Sequence, residues 1–315
     1  MDSISEKLFG KLKNACDKCS SETISLSGGL DSTILAYYLQ KQKPKAISII
    51  AKDFEANDLV YCQMASQEFD LPLTIYNVET EQILEAVEET IKILKNFNDI
   101  EIRNNIVMYL AIKWAKDNQS DGIITGDGAD ELFAGYNFLL DKSKQELEGE
   151  IQRIYSIMHF PTQKIGKYLG LKVESPFLDE DVVDFALSIP GNLKVDTRDG
   201  KKYGKWILRK TFEGKIPEKI LWREKSPMQD GAGTNKLGDL FENMISDSKF
   251  DEKRKTIQQS HGITIRTKES MYYFDIFRKL HGIHQTVDEE INSCPYCHFN
   301  TENSKFCRMC GAFPI

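Results

Sequence analysis

Residues 27–32 combine two adjacent glycines with two serines and an aspartate, in the order SGGLDS. The preceding residues 23–26 predict a short buried strand, and the following residues 33–39 predict the first turns of a helix. Glycines in such a turn let the backbone approach a ligand closely, and the free N–H groups at the helix start attract an anion. Asp31 would repel a bound phosphate, and a bridging Mg2+ would remove that repulsion. The segment therefore predicts a phosphate site that includes a metal ion.

The loop differs from the two commonest nucleotide-binding motifs. No Gly-Lys-Ser/Thr follows the glycines, as a Walker A motif requires, and the glycine spacing is not that of the Rossmann fingerprint. The loop resembles the SGGxDS loop of the PP-loop ATP pyrophosphatases, which bind ATP and split it between the α and β phosphates. The alternative is an ordinary serine-glycine turn, and the strand–loop–helix setting weighs against it.

Strand-like and helix-like patterns alternate through the first half of the chain. Strands are predicted at residues 46–51, 73–76 and 121–125, and helices at residues 3–19, 57–69, 81–96 and 103–118. This alternation predicts an α/β fold with a parallel twisted sheet and helices on both faces, as in the adenine nucleotide α-hydrolases. Helix-like spacing then dominates, at residues 143–158, 179–187 and 267–280. We expect one ATP-binding domain over residues 1–290, with its core at 20–140 and a mostly helical part at 141–290.

A second glycine-rich and acidic loop, residues 126–136, follows the fourth predicted strand. Ligands in an open parallel sheet bind at the carboxyl ends of the strands, where the crossovers diverge. Asp31 and Asp130 are therefore expected to converge on one metal–phosphate site. The alternative is that Asp127, Asp130 and Glu131 only complement the dipole at a helix start.

Several further motifs identify a narrower family. The second loop, GDGADELFAGY, resembles the SGEGSDELFGGY signature of the asparagine synthetase family. Residues 174–179, 205–209, 221–225 and 230–233 resemble that family's RxPFLD, KxxLR, WRxK and DGxG segments, in the same order. The resemblance covers roughly residues 5–240. Asp2 follows Met1, and about 20 residues precede the first predicted strand, so we expect a synthetase domain without the glutaminase domain of the full-length family.

The resemblance implies an ATP-dependent carbon–nitrogen ligase that adenylates a carboxylate, releases pyrophosphate and forms an amide. It implies Mg2+ on Asp31 and Asp130, and it puts Lys205, Asp127 and Glu131 at the reacting centre. A cation such as Lys205 is needed where negative charge builds on phosphorus and carbon, although a lone lysine is usually a solvated surface residue. The implied ATP and pyrophosphate contacts are Leu26, Ser27, Gly28, Gly29, Asp31, Ser32, Ile50, Thr125 and Gly126.

Two positions depart from the family's motifs. Asp127 stands where the family has a glutamate, and Glu174 stands where it has an arginine. An acid in place of a base reverses the local charge, so the substrate would differ from aspartate if that position lies near it. If the arginine is structural in the family, the change means only that its partner has changed. The sequence is compatible with both interpretations.

The C-terminal tail, residues 291–315, contains two Cys-x-x-Cys pairs, Cys294/Cys297 and Cys307/Cys310. Two such pairs about ten residues apart fit a tetrahedral Zn2+ site, and the segment resembles a zinc ribbon. A tail this short cannot build its own core, so the metal would supply its folding energy. Four protein ligands leave no open position for catalysis, so we expect the ribbon to dock a partner protein. Cys16, Cys19 and His298 are interpreted as bystanders.

Composition restricts the remaining possibilities. A formal net charge of −7 over 315 residues makes nucleic acid a less favoured partner, and no signal peptide or membrane-spanning apolar run occurs, so we expect a cytoplasmic protein. The carboxylate is a small molecule or is carried by a protein, and the amine donor is ammonia, a separate glutaminase subunit or another amine. One alternative is a tRNA-modifying PP-loop enzyme that adenylates a base. Another is a non-catalytic scaffold that binds a partner through its ribbon.

Overall fold

The computed structural model describes residues 2–52, 58–225, 228–283, 293–301 and 304–315. It confirms the expected α/β fold, because helices alternate with the strands of a parallel five-stranded sheet. The strands of this sheet are β1 (Thr23–Ser25), β2 (Lys45–Ala51), β3 (Leu73–Val78), β4 (Gly122–Ile124) and β5 (Lys172–Glu174). A separate antiparallel pair consists of β6 (Asp196–Arg198) and β7 (Lys201–Tyr203).

Helices make up most of the remaining regular structure. They are α1 (Asp2–Asp17), α2 (Leu30–Leu39), α3 (Leu59–Glu68), α4 (Thr80–Leu94), α5 (Asp99–Asp117), α6 (Ala129–Leu132), α7 (Lys144–Ile157), α8 (Pro161–Leu169), α9 (Glu180–Ser188), α10 (Trp206–Thr211), α11 (Glu218–Leu221), α12 (Met228–Ala232), α13 (Leu237–Met244), α14 (Asp247–His261) and α15 (Lys268–His281). None of the described helices combines the length and the apolar composition needed to cross a membrane.

The strand order β3-β2-β1-β4-β5 determines where a ligand can bind. The chain runs outward from β1 through β2 to β3, and then returns to add β4 and β5 on the other side of β1. Thr23 pairs with Ile123 and Ile24 with Ile124, so β1 and β4 end side by side. The loops that follow these two strands therefore meet at the point where the strand order reverses, which is where open parallel sheets bind ligands.

Apolar side chains explain why these elements pack where they do. Ile24 in β1 and Ile124 in β4 are fully buried, as are Ile34 and Leu35 in α2. Burying each such side chain contributes about 1.5–3 kcal/mol relative to leaving it exposed. Helix α1 packs against α2, α9 and α10, and this group of helices covers the core around β1.

The chain divides into two compact units. The first unit comprises Met1–Ile50, Ala56–Asn77 and Ala111–Ala232, and the second comprises Ala51–Glu55, Val78–Leu110 and Gly233–Ile315. Within the second unit, α15 packs against α4, α13 and α14. The expected domain boundary near residue 290 stays a prediction.

Three strands were not predicted by the sequence patterns: β5, β6 and β7 each contain three residues. Three residues are too few to show a period of two, and these strands, unlike the equally short β1 and β4, are rich in charged residues. The charge-rich residues 251–259, expected to be a solvated surface or a linker, belong to the 15-residue helix α14. Ile257 is the buried residue of that helix, so its surface is largely solvated as expected.

Candidate active site

The first loop is shaped by glycine and by its own hydroxyl groups. Gly28 has a positive φ of 71°, and a Cβ there would overlap the backbone of Cys62, so both conformation and space require glycine. The hydroxyl oxygen of Ser27 accepts a hydrogen bond from the N–H of Gly29 at 3.2 Å and lies 3.2 Å from that of Ser32. These groups surround the start of helix α2, where N–H groups and the helix dipole favour an anion.

The second loop lies directly against the first. A Cβ placed on Gly126 would be 3.1 Å from the Cβ of Asp31, so the two loops touch at that point. Thr125 and Ile50 are buried. The side chain of Leu26 lies in the core, and its N–H donates to the carbonyl of Ile47 at 2.9 Å. Both groups of Leu26 therefore already have partners within the protein.

Two carboxylates and two ammonium groups alternate where these loops meet. Lys205 Nζ lies 2.6 Å from Asp31 Oδ2 and 2.7 Å from Asp130 Oδ1. Lys225 Nζ lies 2.5 Å from the other oxygen of Asp130. We call this set, Asp31, Lys205, Asp130 and Lys225, the charged cluster. The structure thus brings together Asp31 and Asp130, which are 99 residues apart in the sequence, as the sequence led us to expect.

Mutual attraction keeps Asp130 and Lys225 ionised. Burial alone would raise the pKa of Asp130, but the Lys205 and Lys225 ammonium groups outweigh it and hold that pKa below its usual range. Burial likewise would lower the pKa of Lys225, but the nearby Asp130 and Asp31 carboxylates outweigh it and raise that pKa. Both side chains are therefore charged at neutral pH.

The backbone around Lys205 fixes the position of its ammonium group. Lys205 has a left-handed φ of 54°, and its N–H donates to Phe133 at 2.9 Å. A Cβ on Gly135 would overlap Asp130 and the Lys205 side chain, and a Cβ on Gly204 would overlap the backbone of the second loop. The position of the Lys205 ammonium group therefore depends on Gly135 and Gly204 as well as on the KxxLR segment.

Two arginines hold the segment that carries Lys225. Arg209 Nε donates to the carbonyl of Gly204 at 2.9 Å, and its Nη1 donates to the carbonyl of Arg223 at 3.2 Å. Arg223 in turn donates to Asp58 at 2.8 Å, and its guanidinium carbon lies 3.8 Å from the ring centre of Tyr61. The arginines of the KxxLR and WRxK segments are thus structural supports, whereas the lysines reach the charged cluster.

Asp127 and Glu131 have a different environment. Asp127 Oδ2 accepts hydrogen bonds from Thr125 at 2.9 Å and from Thr162 at 2.5 Å, and Glu131 accepts one from Tyr136 at 2.5 Å. Burial raises the pKa of both carboxyl groups, and the hydrogen bonds only partly oppose it. Of the described residues, the direct partners of these two carboxyl groups are hydroxyl groups rather than cations.

Glu174, the acid in place of the family's arginine, has a structural partner in this chain. Its Oε2 accepts hydrogen bonds from the N–H of Ser20 at 3.1 Å and of Ser21 at 2.8 Å. Its Oε1 lies 2.6 Å from Lys172 Nζ. Burial would raise the pKa of Glu174, but Lys172 and these N–H groups outweigh it and lower that pKa. The carboxylate is engaged at the start of β1, whereas the charged cluster follows its end.

The charged cluster fits Mg2+. Asp31 Oδ1 is buried and has no hydrogen-bond partner among the described residues, although Oδ2 of the same carboxylate is paired. Carboxylate oxygens are the ligands that Mg2+ prefers, together with phosphate oxygens of a nucleotide. Asp31 and Asp130 are the residues that would hold the ion.

The four tail cysteines fit a tetrahedral metal. Their Sγ atoms all lie within 4.8 Å of one another, with 3.7 Å between Cys294 and Cys310 and 3.5 Å between Cys297 and Cys307. Four ligands at about 2.3 Å from Zn2+ would lie about 3.8 Å apart, whereas a disulfide needs about 2.05 Å. His298 instead places Nε2 3.1 Å from the carbonyl of Gly262.

The other cysteines are poor nucleophiles. Burial raises the pKa of Cys16 and of Cys62, and it raises the pKa of Cys19 to about 12. The thiolate is the reactive form, so these thiols are unreactive at neutral pH. This weighs against those tRNA-modifying PP-loop enzymes that would need a reactive thiol.

Lys225 is the site residue that the sequence analysis missed. Its signal was present, because it is the lysine of the segment that resembles WRxK. Thr162, which binds Asp127, carried no motif signal at all.

Comparisons with known proteins point to one family. The family model described as asparagine synthase matches residues 23–163 and 141–289. Two glutamine-hydrolysing asparagine synthetases are similar, one from Rattus norvegicus (29% identity, 80% of this chain and 47% of that protein) and one from Gallus gallus (29% identity, 81% and 48%). The chain thus spans about half the length of the curated relatives it matches.

A solved structure of an NMN synthetase from Francisella tularensis covers 92% of the chain and 98% of its own, at 13% identity and a TM-score of 0.35. That score is too low to support an argument. The family model, by contrast, covers most of the chain and includes every member of the charged cluster. The chain therefore belongs to the asparagine synthase family.

Proposed function

We propose that this chain is an ATP-dependent ligase that forms an amide through an acyl-adenylate. A carboxylate oxygen of the substrate attacks the α-phosphorus of ATP, and the bond from that phosphorus to the β-phosphate oxygen breaks to release pyrophosphate. An amine then attacks the acyl carbon, and AMP and a proton leave. The observation that carries the proposal is the charged cluster at the meeting point of two glycine-rich loops, in a chain of this family.

The chain's own residues have distinct roles in this proposal. The first loop, Ser27 to Ser32, binds the pyrophosphate portion through N–H and hydroxyl groups, while Ile50, Thr125 and Gly126 line the AMP portion. Lys205 and Lys225 offset the negative charge that develops on the α-phosphate and on the tetrahedral carbon. When bound at Asp31 and Asp130, Mg2+ supplies charge neutralisation at the phosphates.

Asp127 and Glu131 are suited to proton transfer. Burial raises the pKa of each carboxyl group, and a raised pKa favours a group that takes up and returns protons. We therefore propose that one of them accepts the proton released by the attacking amine. The amine is ammonia, ammonia from a separate glutaminase subunit, or an amine on another substrate or carrier. We further propose a cytoplasmic location, where ATP is available and thiols stay reduced.

Isotope exchange between pyrophosphate and ATP tests the proposal across a panel of carboxylates. A substrate carboxylate should give exchange, and a complete turnover with an amine should release AMP and pyrophosphate. Asp31→Asn and Asp130→Asn should each lower the exchange rate by at least about a hundredfold, as loss of transition-state charge stabilisation does. The exposed Asp121, replaced in Asp121→Asn, is the matched control and should retain the normal rate. Release of ADP and phosphate would contradict the proposal.

A further inference from the structure

The second cysteine pair of the tail is hydrogen-bonded through its backbone to other segments of the second unit. Three successive carbonyls accept hydrogen bonds there. Arg308 accepts from the Asn98 amide at 3.4 Å, Met309 from the Phe97 N–H at 2.9 Å, and Cys310 from the Arg266 guanidinium at 2.8 Å.

The close fit continues at Gly311. This glycine has a positive φ of 73°, and a Cβ on it would lie 2.7 Å from Asn98 Oδ1 and 3.0 Å from Asp99 Oδ1. Both the backbone conformation and the available space therefore favour glycine where the ribbon approaches the start of helix α5.

The first cysteine pair contacts a different segment of the same unit. The N–H of Thr264 donates to the carbonyl of Tyr296 at 2.7 Å. The Arg266 guanidinium, which binds Cys310, also lies 6.0 Å from the ring centre of Tyr296. Arg266 thus contacts both halves of the ribbon.

These contacts fall on two inter-helix loops. Residues 95–98 connect α4 to α5, and residues 262–267 connect α14 to α15. In the second loop, Ile263 and Ile265 are buried while Thr264 and Arg266 bind the ribbon. In the first, the Phe97 ring packs 5.2 Å from that of Phe274. Without the ribbon, the N–H groups of Phe97 and Thr264 would lose their partners, which a folded chain rarely tolerates when such groups are buried.

We propose that one Zn2+, held by Cys294, Cys297, Cys307 and Cys310, staples the loop at 95–98 to the loop at 262–267. A ribbon this small has little core of its own, so metal binding supplies its folding energy. Because the ribbon contacts both loops, metal binding is coupled to the ordering of these loops. The zinc staple lies beyond residue 289, where the family match ends. It is thus part of the second unit rather than a free module for docking a partner.

Hydrogen exchange on the purified full chain tests the zinc staple. Elemental analysis should find one Zn2+ per chain before treatment and none after a strong thiol-compatible chelator. Removal should then speed amide exchange at Phe97 and Thr264 by at least about tenfold. The amide of Thr33, which bonds Gly29 in the first unit, serves as the internal reference and should exchange as before. Unchanged protection at Phe97 and Thr264 after metal loss would overturn the proposal, and iron in place of zinc would overturn the metal assignment.

Variants that leave the cysteines intact give a second test. Arg266→Ala removes the bond to Cys310 but no metal ligand, so it should keep one Zn2+ yet lose it to chelator at least several-fold faster. Lys305→Ala, at an exposed ribbon lysine, is the matched control and should release Zn2+ at the normal rate. Equal release rates in the two variants would contradict a staple that depends on Arg266. Neither test replaces a cysteine, so neither depends on whether a variant without a metal ligand can fold.

Discussion

Asp130 is the residue on which the charged cluster depends, because each of its oxygens faces a different lysine. Lys205 occupies a left-handed position held by glycines, and Lys225 lies on a segment held by Arg209 and Arg223. The two ammonium groups are therefore fixed before any substrate arrives. Such fixed charges stabilise a transition state without reorganisation during the reaction.

Replacing Lys225 should show whether the second ammonium group is required. Lys225→Met keeps the length of the side chain but leaves Asp130 with a single lysine. We expect pyrophosphate–ATP exchange to fall at least about a hundredfold, because one source of charge stabilisation is lost. Lys219→Met, at an exposed lysine six residues earlier, is the control and should have the normal rate. A normal rate in Lys225→Met would remove that lysine from the reacting centre.

A methyl group on Gly135 should disrupt the same cluster sterically. The added Cβ of Gly135→Ala would overlap Asp130 and the Lys205 side chain, so the variant should lose most of its exchange activity. Gly149 in helix α7 is the matched control, because a Cβ there meets nothing within 4 Å. Gly149→Ala should keep its activity and raise the free energy of unfolding by about 0.5–1 kcal/mol. Comparable activity in the two alanine variants would show that the tight packing at Gly135 is unimportant.

The sequence pointed to those residues of the candidate site that lie in recognisable motifs, but not to those defined by tertiary contact. Asp31, Asp130 and Lys205 were named from their motifs, and the structure brings all three together. The partners of Glu174 could not be predicted, because Ser20 and Ser21 are about 150 residues away and carry no motif. The contact between Thr162 and Asp127 could not be predicted either, because a threonine at the start of a helix commonly hydrogen-bonds the local backbone instead.

At the scale of elements, the sequence patterns located most of the long helices and the apolar strands, including three-residue β1 and β4, but not the three charged short strands. Helix α4 was expected at 81–96 and runs from Thr80 to Leu94, and β3 was expected at 73–76 and runs to Val78. Strand β5 was not predicted, although its pairing with β4 completes the sheet. The adjacency of β1 and β4 followed from a general rule of parallel sheets rather than from any pattern in their residues.

Helices α5 and α15 share a buried acid that should make stability depend on pH. Glu269 lies 3.1 Å from Arg103 Nε and accepts a hydrogen bond from Tyr273 at 2.8 Å, with Asp99 also near Arg103. Burial raises the pKa of Glu269 from 4.5 to about 7. Between these values the folded state binds a proton that the unfolded state has released. The free energy of unfolding should therefore fall as pH rises through this window.

Glu269→Gln removes this titration. Relative to wild type, the variant's free energy of unfolding should rise by up to about 3 kcal/mol between pH 4.5 and pH 7.5, the upper limit for the pKa difference. Denaturant unfolding at several pH values measures this. The exposed Glu85, replaced in Glu85→Gln, provides the control and should follow the wild-type pH dependence. Parallel curves for wild type and Glu269→Gln would refute the raised pKa.

At the scale of the whole molecule, the candidate active site and the cysteine cluster belong to different units. The charged cluster, Asp127 and Glu131 belong to the first unit, and the four tail cysteines belong to the second. The sequence predicted both sets from motifs except Lys225, but it could not tell whether the ribbon was a free module. That required the hydrogen bonds from Phe97, Thr264 and Arg266, which come from segments without any motif.

The source of the amine can be predicted from the state of the cysteines. Hydrolysis of glutamine by a thiol needs an accessible thiolate. Four of the chain's seven cysteines form the four-cysteine cluster of the tail, and burial raises the pKa of the other three, Cys16, Cys19 and Cys62. Among the described residues, the cysteines therefore offer no reactive thiolate for glutamine, and we expect the amine to be ammonia or another amine supplied from outside this chain.

Glutamine alone should consequently fail to support amide formation by this chain, whereas an ammonium salt or a suitable amine should support it. Only the unprotonated form attacks the acyl-adenylate, and below the ammonium pKa its fraction rises about tenfold for each pH unit. The rate at subsaturating ammonium should therefore rise steeply between pH 7 and pH 8.5. The pyrophosphate–ATP exchange, which needs no amine, provides the control at each pH. Steady release of glutamate from glutamine by the pure chain would contradict the prediction, because it would require a reactive thiol, or another nucleophile, that we have not identified among the described residues.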